Sequence, residues 1–146
     1  MISTDILKDK KFLVVEDNEI NRNLTKEILQ DVGVTVETAK NGKDAIKKIS
    51  KAEENYFDFI LMDIHMPKMD GYETARKIRA LEDKEKAKVP ILAVTVDTAD
   101  EDKQKELDCG INGHLSKPVK ISELLETVSQ YLKSFNQLAG LMADLT

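Results

Sequence analysis

Three carboxylates and one lysine stand at the ends of short runs in this chain: Glu16 and Asp17 after Phe12-Leu13-Val14-Val15, Asp63 after Phe59-Ile60-Leu61-Met62, and Lys117 after His114-Leu115-Ser116. An apolar run without polar alternation suits a strand buried on both faces, as in a parallel sheet covered by helices. Ligands of such sheets bind beyond the carboxyl ends of the strands, so the four groups are expected to meet at one rim. Carboxylates that close repel unless a cation or protons offset them. Oxygen donors favour Mg²⁺, which takes one or two carboxylates together with a phosphate oxygen. The set suits phosphoryl transfer, with the metal held by Glu16, Asp17 and Asp63 and with Lys117 neutralising the phosphoryl oxygens from the far side. Asp63 is the expected nucleophile, because it ends the central run and the loop forced by Met66-Pro67 leaves its carboxylate open. Thr95, ending a fourth run, offers a hydroxyl to the same oxygens. The plainer alternative is a set of surface salt bridges.

The elements that would position these groups alternate along the chain. Lys11 to Val15, Val34 to Thr38, Phe57 to Met62, Val89 to Val96 and Asn112 to Ser116 read as strands. Between them, Asn18 to Val32 is predicted as a helix with Ile20, Leu24, Ile28 and Leu29 on its apolar face, ended by Gly33. A second helix opens at Asn41-Gly42 and carries Ala45, Ile46 and Ile49, and a third runs from Gly71 to Leu81 before a charged connector, Glu82 to Lys88. Ala99 to Cys109 reads as a helix with only Ala99, Leu107 and Cys109 as apolar anchors, weakly held and easily moved. A last helix starts at Ile121, after Pro118. Strands alternating with helices predict an α/β doubly wound parallel sheet with helices on both faces. Strand order is not legible from these residues.

A chain of 146 residues fits one domain. Charged residues at 34% and hydrophobic ones at 41% exclude a disordered or membrane-embedded chain, and net charge −5 disfavours a nucleic-acid partner bound by bulk electrostatics. The apolar runs are too short to span a membrane, and Met1-Ile2-Ser3-Thr4-Asp5 lacks a secretory layout, so a cytoplasmic location without membrane contact is expected. Cys109 has no partner for a disulfide or a zinc pair and reads as a small buried helix residue. His65 and His114 lack a second histidine at ligand spacing, which argues against zinc.

From about residue 10 to 134 the chain resembles the receiver domain of two-component response regulators. Val15-Glu16-Asp17-Asn18-Glu19-Ile20-Asn21-Arg22 and Met62-Asp63-Ile64-His65-Met66-Pro67-Lys68-Met69-Asp70-Gly71 are most similar to the receivers of hybrid sensor kinases. The spacing of Asp17, Asp63, Thr95 and Lys117 is similar to the family's as well. The resemblance implies a flavodoxin-like sheet of five strands in the order 2-1-3-4-5, an order the same fold shows in a chemotaxis protein. It implies that Asp63 accepts phosphate from a phosphohistidine on a histidine kinase or histidine phosphotransfer protein, with Mg²⁺ held by Glu16, Asp17, Asp63 and the backbone carbonyl of His65. Lys117-Pro118 resembles the family's cis bond. Residues 1–134 would form the receiver domain and 135–146 a helical extension or tail. The competing enzyme reading, an aspartyl-phosphate phosphatase of the haloacid dehalogenase type, calls for Asp-x-Asp after the first strand, where this chain has Glu16-Asp17-Asn18-Glu19.

The chain departs from the family pattern at two positions. Val96 follows Thr95 where the family has a small residue, and a β-branched side chain there is expected to narrow access to Asp63. His114 stands where the family has a tyrosine or phenylalanine that switches together with the hydroxyl residue, Thr95 here. His65 and Asp97 flank the site and either tune hydrolysis of the phosphoryl group or serve as a loop histidine and a helix-start acid. At the carboxyl end, Ile121, Leu125, Val128, Leu132, Phe135, Ala139 and Met142 recur at alternating steps of four and three. This predicts a helix to about Leu138 or beyond, packed on a second copy, on the domain itself or on a neighbouring domain. A frayed tail is the alternative, since Gly140 costs about 1 kcal/mol inside a helix.

Overall fold

The computed structural model describes residues 4–96 and 100–144. A single 3-10 turn, Thr4–Leu7, leads into an alternation of strands and helices: β1 (Lys11–Val15), α1 (Glu19–Gln30), β2 (Thr35–Ala39), α2 (Gly42–Lys51), β3 (Phe59–Asp63) and α3 (Gly71–Arg79). There follow α4 (Lys84–Ala87), β4 (Ile91–Thr95), α5 (Asp100–Asp108), β5 (Gly113–Ser116) and α6 (Ile121–Asp144). The strands form one five-stranded sheet in the order β2-β1-β3-β4-β5, and every pair is parallel. No helix among the described residues is long and apolar enough to cross a membrane.

Every residue of β3 and β4 is buried, which is why these runs lack polar alternation. Their odd and even positions feed two cores. On one face Phe12, Val14, Leu61, Val94 and Leu115 pack with Leu29 of α1 and with Leu124 and Val128 of α6. On the other, Leu13, Ile60, Met62 and Ala93 pack with Ala45 of α2 and Ile78 of α3. The register pairs Met62 with Val15 and Asp63 with Val94, so β1, β3 and β4 end level with one another.

Local signals at the rim act as caps. Asn18, Asn41 and Asp70 accept the backbone N–H of Asn21, Asp44 and Glu73 at 2.9, 2.8 and 2.9 Å, starting α1 and α2 soon after β1 and β2 and starting α3 after the loop that follows β3. Each such cap is worth about 1 kcal/mol. Gly33 takes φ +90° after α1, a conformation that disfavours any side chain. At the other end of the sheet, Arg79 acts as a staple. Its guanidinium donates to the carbonyls of Ala87, Val89 and Gly110 and to Asn112 Oδ1, all within 2.7–2.9 Å.

Three expectations need correction. Ile20 and Leu24, assigned above to the buried face of α1, are 77% and 49% exposed, since Leu24 borders an open cavity beside Val14, Leu61 and Val94 and only Leu29 of this helix is buried in the core. Leu107, assigned as an anchor of α5, is 68% exposed, whereas its neighbour Glu106 turns inward and is buried. The charged connector contains one helical turn, α4, which Asp83 caps by accepting from Glu85 and Lys86 N–H at 3.1 and 3.3 Å.

Candidate functional site

Glu16 and Asp17 leave β1, Asp63 ends β3, Thr95 ends β4 and Lys117 follows β5, so the level strand ends carry all five groups to one rim. Carboxylate oxygens of Glu16, Asp17 and Asp63 lie within 4.8 Å of one another, with Asp63 and Glu16 buried and Asp17 exposed. Lys117 Nζ bridges the two buried acids, 2.8 Å from Asp63 Oδ1 and 3.4 Å from Glu16 Oε2. The Lys117-Pro118 bond is cis, and Lys117 N–H donates to the Thr95 carbonyl at 3.1 Å, joining the ends of β4 and β5. Thr95 itself is 1% exposed.

The loop after β3 is held tightly against its own strand. Gly71 N–H donates to the Ile64 carbonyl at 2.9 Å, and a Cβ on Gly71 would come within 2.6 Å of the Asp63 carbonyl oxygen, so only glycine lets α3 begin there. This turns the chain so that His65 N–H donates to Asp63 Oδ1 at 3.2 Å, while the His65 side chain stays exposed. Arg22 and Asn21 of α1 reach back to Glu16, donating to its carbonyl at 3.0 Å and to Oε1 at 3.5 Å. These two α1 contacts were not anticipated; their signal is the polar pair in the first turn of the helix that follows the β1 acids.

Negative charge is in excess here. Burial, reinforced by Asp63 and only partly opposed by Lys117, pushes the Glu16 carboxyl up to about 7. Burial works against the Lys117 charge, yet Asp63 and Glu16 hold its ammonium above the ordinary lysine value. The group that would relieve this excess is a hard cation, and the all-oxygen donor set with one exposed member fits one.

Of the tuning positions, Val96 is 73% exposed and lines, with Leu24, Ile28, Asp63, Lys117 and Val119, a cavity of about 290 Å³ that opens beside Asp63. His114 lies away from the carboxylates, its Nδ1 2.6 Å from Glu106 Oε1. Asp97 lies outside the described residues, as does Ala99.

A parallel sheet in this order, with a buried strand-end aspartate, two neighbouring acids and a lysine bridging two of the carboxylates, defines a doubly wound α/β protein with an acidic rim. The model of the response regulator receiver domain matches residues 12–129, and the chain belongs to that family. It is 40% identical over 131 residues to the hybrid signal transduction histidine kinase L of Dictyostelium discoideum, covering 89% of this chain and 8% of that kinase. The chain therefore spans a small part of that relative. The receiver domain of the histidine kinase CKI1 from Arabidopsis thaliana, complexed with Mg²⁺ and BeF₃⁻, superposes with a TM-score of 0.78 at 30% identity, covering 89% of this chain and 94% of that one. The Vibrio cholerae chemotaxis protein CheY4 superposes with a TM-score of 0.75 at 36% identity, covering 84% and 98%. The family matched is that of receivers, so the phosphatase reading gains no support.

Proposed function

We propose that this chain is the phosphoacceptor of a phosphorelay, in which Asp63 takes a phosphoryl group from a phosphohistidine on a histidine kinase or a histidine phosphotransfer protein. The observation that carries the reading is the buried Asp63 carboxylate held between Lys117 Nζ at 2.8 Å and the His65 N–H at 3.2 Å, beside two further acids. An Asp63 oxygen forms the new O–P bond as the N–P bond of the donor breaks and the imidazole departs. Lys117 and Thr95 then face the phosphoryl oxygens, replacing water with fixed positive charge and a hydroxyl. Glu16, Asp17, Asp63 and the His65 carbonyl would hold Mg²⁺, which when bound offsets the charge of the acids and of the incoming phosphoryl group. The chain is a signalling domain rather than a turnover enzyme, with self-phosphorylation from small donors and self-dephosphorylation as its only chemistry. The reading carries a cytoplasmic location with it, since the phosphohistidine donor must reach the site.

The decisive test is incubation with a small phosphodonor and Mg²⁺, followed by intact mass and mapping of the added phosphate. Labelling should fall on Asp63 and vanish in Asp63→Asn, which keeps the shape and loses the nucleophilic charge. Full labelling of that variant would overturn the assignment. The family match ends at residue 129, whereas α6 is helical to Asp144 and the sequence stripe runs on to Met142. We assign residues 135–146 to an extension through which two copies associate. Deleting residues 136–146 should take the mass measured by light scattering from that of two copies to that of one; a fall of no more than the deleted residues' own mass would remove this surface.

A further inference from the structure

The described side chains of α5 meet the rest of the protein through polar groups instead of apolar ones: Glu106 bonds His114 of β5, and Lys105 Nζ lies 4.4 Å from the Tyr72 ring of α3. From Lys103 to Asp108 only Glu106 is buried, at 5% exposure, and Leu107 points to solvent. Apolar anchoring resumes only after the helix, at Cys109 and Ile111. The Glu106 carboxylate can only accept, so Nδ1 of His114 on β5 carries the proton that bonds it at 2.6 Å. The other ring nitrogen, Nε2, is buried and has no hydrogen-bond partner among the described residues. A buried carboxylate and a half-satisfied imidazole are costly groups to place beneath a helix unless their bond to each other holds.

The pair is also placed to feel the acidic rim. The register sets Ala93 beside His114 and Thr95 beside Ser116, so Thr95 and His114 are diagonal neighbours on one face of adjacent strands. That face is the one covered by Cys109 and Ile111. Lys117, which bridges Asp63 and Glu16, also bonds the Thr95 carbonyl, so the Lys117 ammonium and the ends of β4 and β5 form one connected unit.

We propose that the Glu106–His114 pair is the tether that fixes α5 in its phosphoryl-free position, and that phosphoryl binding at Asp63 works against it. The second half rests on the reading of Asp63 as phosphoacceptor. A phosphoryl group there recruits Lys117 and Thr95, shifting the strand ends against which His114 is registered. By reciprocity, a contact made only in the phosphoryl-free arrangement lowers affinity for the phosphoryl group, and removing it raises that affinity. Glu106 and His114 are thus positioning residues, remote from the reacting atoms.

Two measurements test this, with Mg²⁺ and beryllofluoride as the phosphoryl mimic. In the ligand-free protein, Glu106→Ala and His114→Ala should each speed amide hydrogen exchange across residues 103–111, and the double variant should exceed neither single one. By calorimetric titration both variants should bind Mg²⁺–beryllofluoride about five- to tenfold more tightly than the parent chain. Glu106→Gln, whose amide oxygen still accepts from Nδ1, should stay near the parent in both; if the alanine forms do not fold, His114→Leu, which fills the space and cannot bond Glu106, carries both measurements with the same expected outcomes. Unchanged exchange in α5 overturns the tether, and unchanged or weaker beryllofluoride affinity overturns its link to the site. A parent chain that binds no beryllofluoride instead sinks the reading of Asp63, and the exchange arm then judges the tether alone.

Discussion

The two ends of the sheet both gather polar groups below the surface, and they balance them in opposite ways. At the amino ends of the strands one cation, Arg79, meets neutral acceptors: three carbonyls and the Asn112 side chain, which in turn accepts from Ile91 N–H at 2.9 Å. Every partner there is satisfied by the fold itself. At the carboxyl ends three acids meet one ammonium, and the fold leaves a charge deficit that only a proton or a cation can fill. One end contributes stability; the other holds back stability that a ligand can return.

The largest effect expected from breaking this contrast is at Arg79. Arg79→Met keeps the apolar stem and removes five hydrogen bonds to four acceptors, stranding carbonyls between α3, α4 and β5. It should lower unfolding free energy by at least about 2 kcal/mol, since bonds to a charged donor contribute roughly 1.5–3 kcal/mol each and partial exposure discounts them. Urea denaturation measures it, and a loss below about 0.5 kcal/mol would mean that this end is not a staple.

Glu16→Gln should act in the other direction. Because the folded state holds the Glu16 carboxyl up to about 7 against an ordinary 4.5, the native protein binds its proton more strongly than the unfolded chain. Stability is therefore fully supported below about 4.5 and falls as pH rises through 7, the reverse of a salt-bridged acid. Metal-free Glu16→Gln lacks this fall. At pH 8 it should be more stable than the parent by on the order of 2 kcal/mol, and at pH 5 the two should converge. Added Mg²⁺ should reverse the ranking by stabilising the parent more. Parallel thermal-unfolding curves across pH would contradict the charge deficit.

The smallest effect belongs to Val96, which stands over the cavity beside Asp63 without filling the site. Val96→Ala should raise the labelling rate by a small phosphodonor by no more than a few-fold and leave stability unchanged, as is usual for exposed positions. Equal or slower labelling would show that the β-branched side chain does not limit access.

Much of this molecule is legible in its residues alone. Strands buried on both faces must be continuously apolar, so β1, β3 and β4 announce themselves, and a charged residue that ends such a run can only emerge at a rim. Asn18, Asn41, Asp70 and Gly33 act within a few residues of themselves, which is why the helix starts and the first helix end were readable. The order β2-β1-β3-β4-β5 did not follow from periodicity; it came from resemblance and is set by the register of distant strands. Helix faces were the weaker reading, because 3.6-residue periodicity marks a stripe without saying how far the sheet extends beneath it. Ile20 and Leu24 lie on the stripe of α1 but stay exposed, Leu24 bordering an open cavity instead of packing on the sheet. Glu106 shows the converse: a charged residue enters the interior because His114, from another strand, arrives to bond it. The Arg79 staple has the same origin, in acceptors brought from α4, the link between α4 and β4, and the turn before β5. Sequence by itself determined the groups at the rim and the elements that end there, since those depend on neighbours along the chain. Tertiary structure alone decided which polar groups are satisfied, because a buried donor or charge is tolerated only where a distant partner meets it.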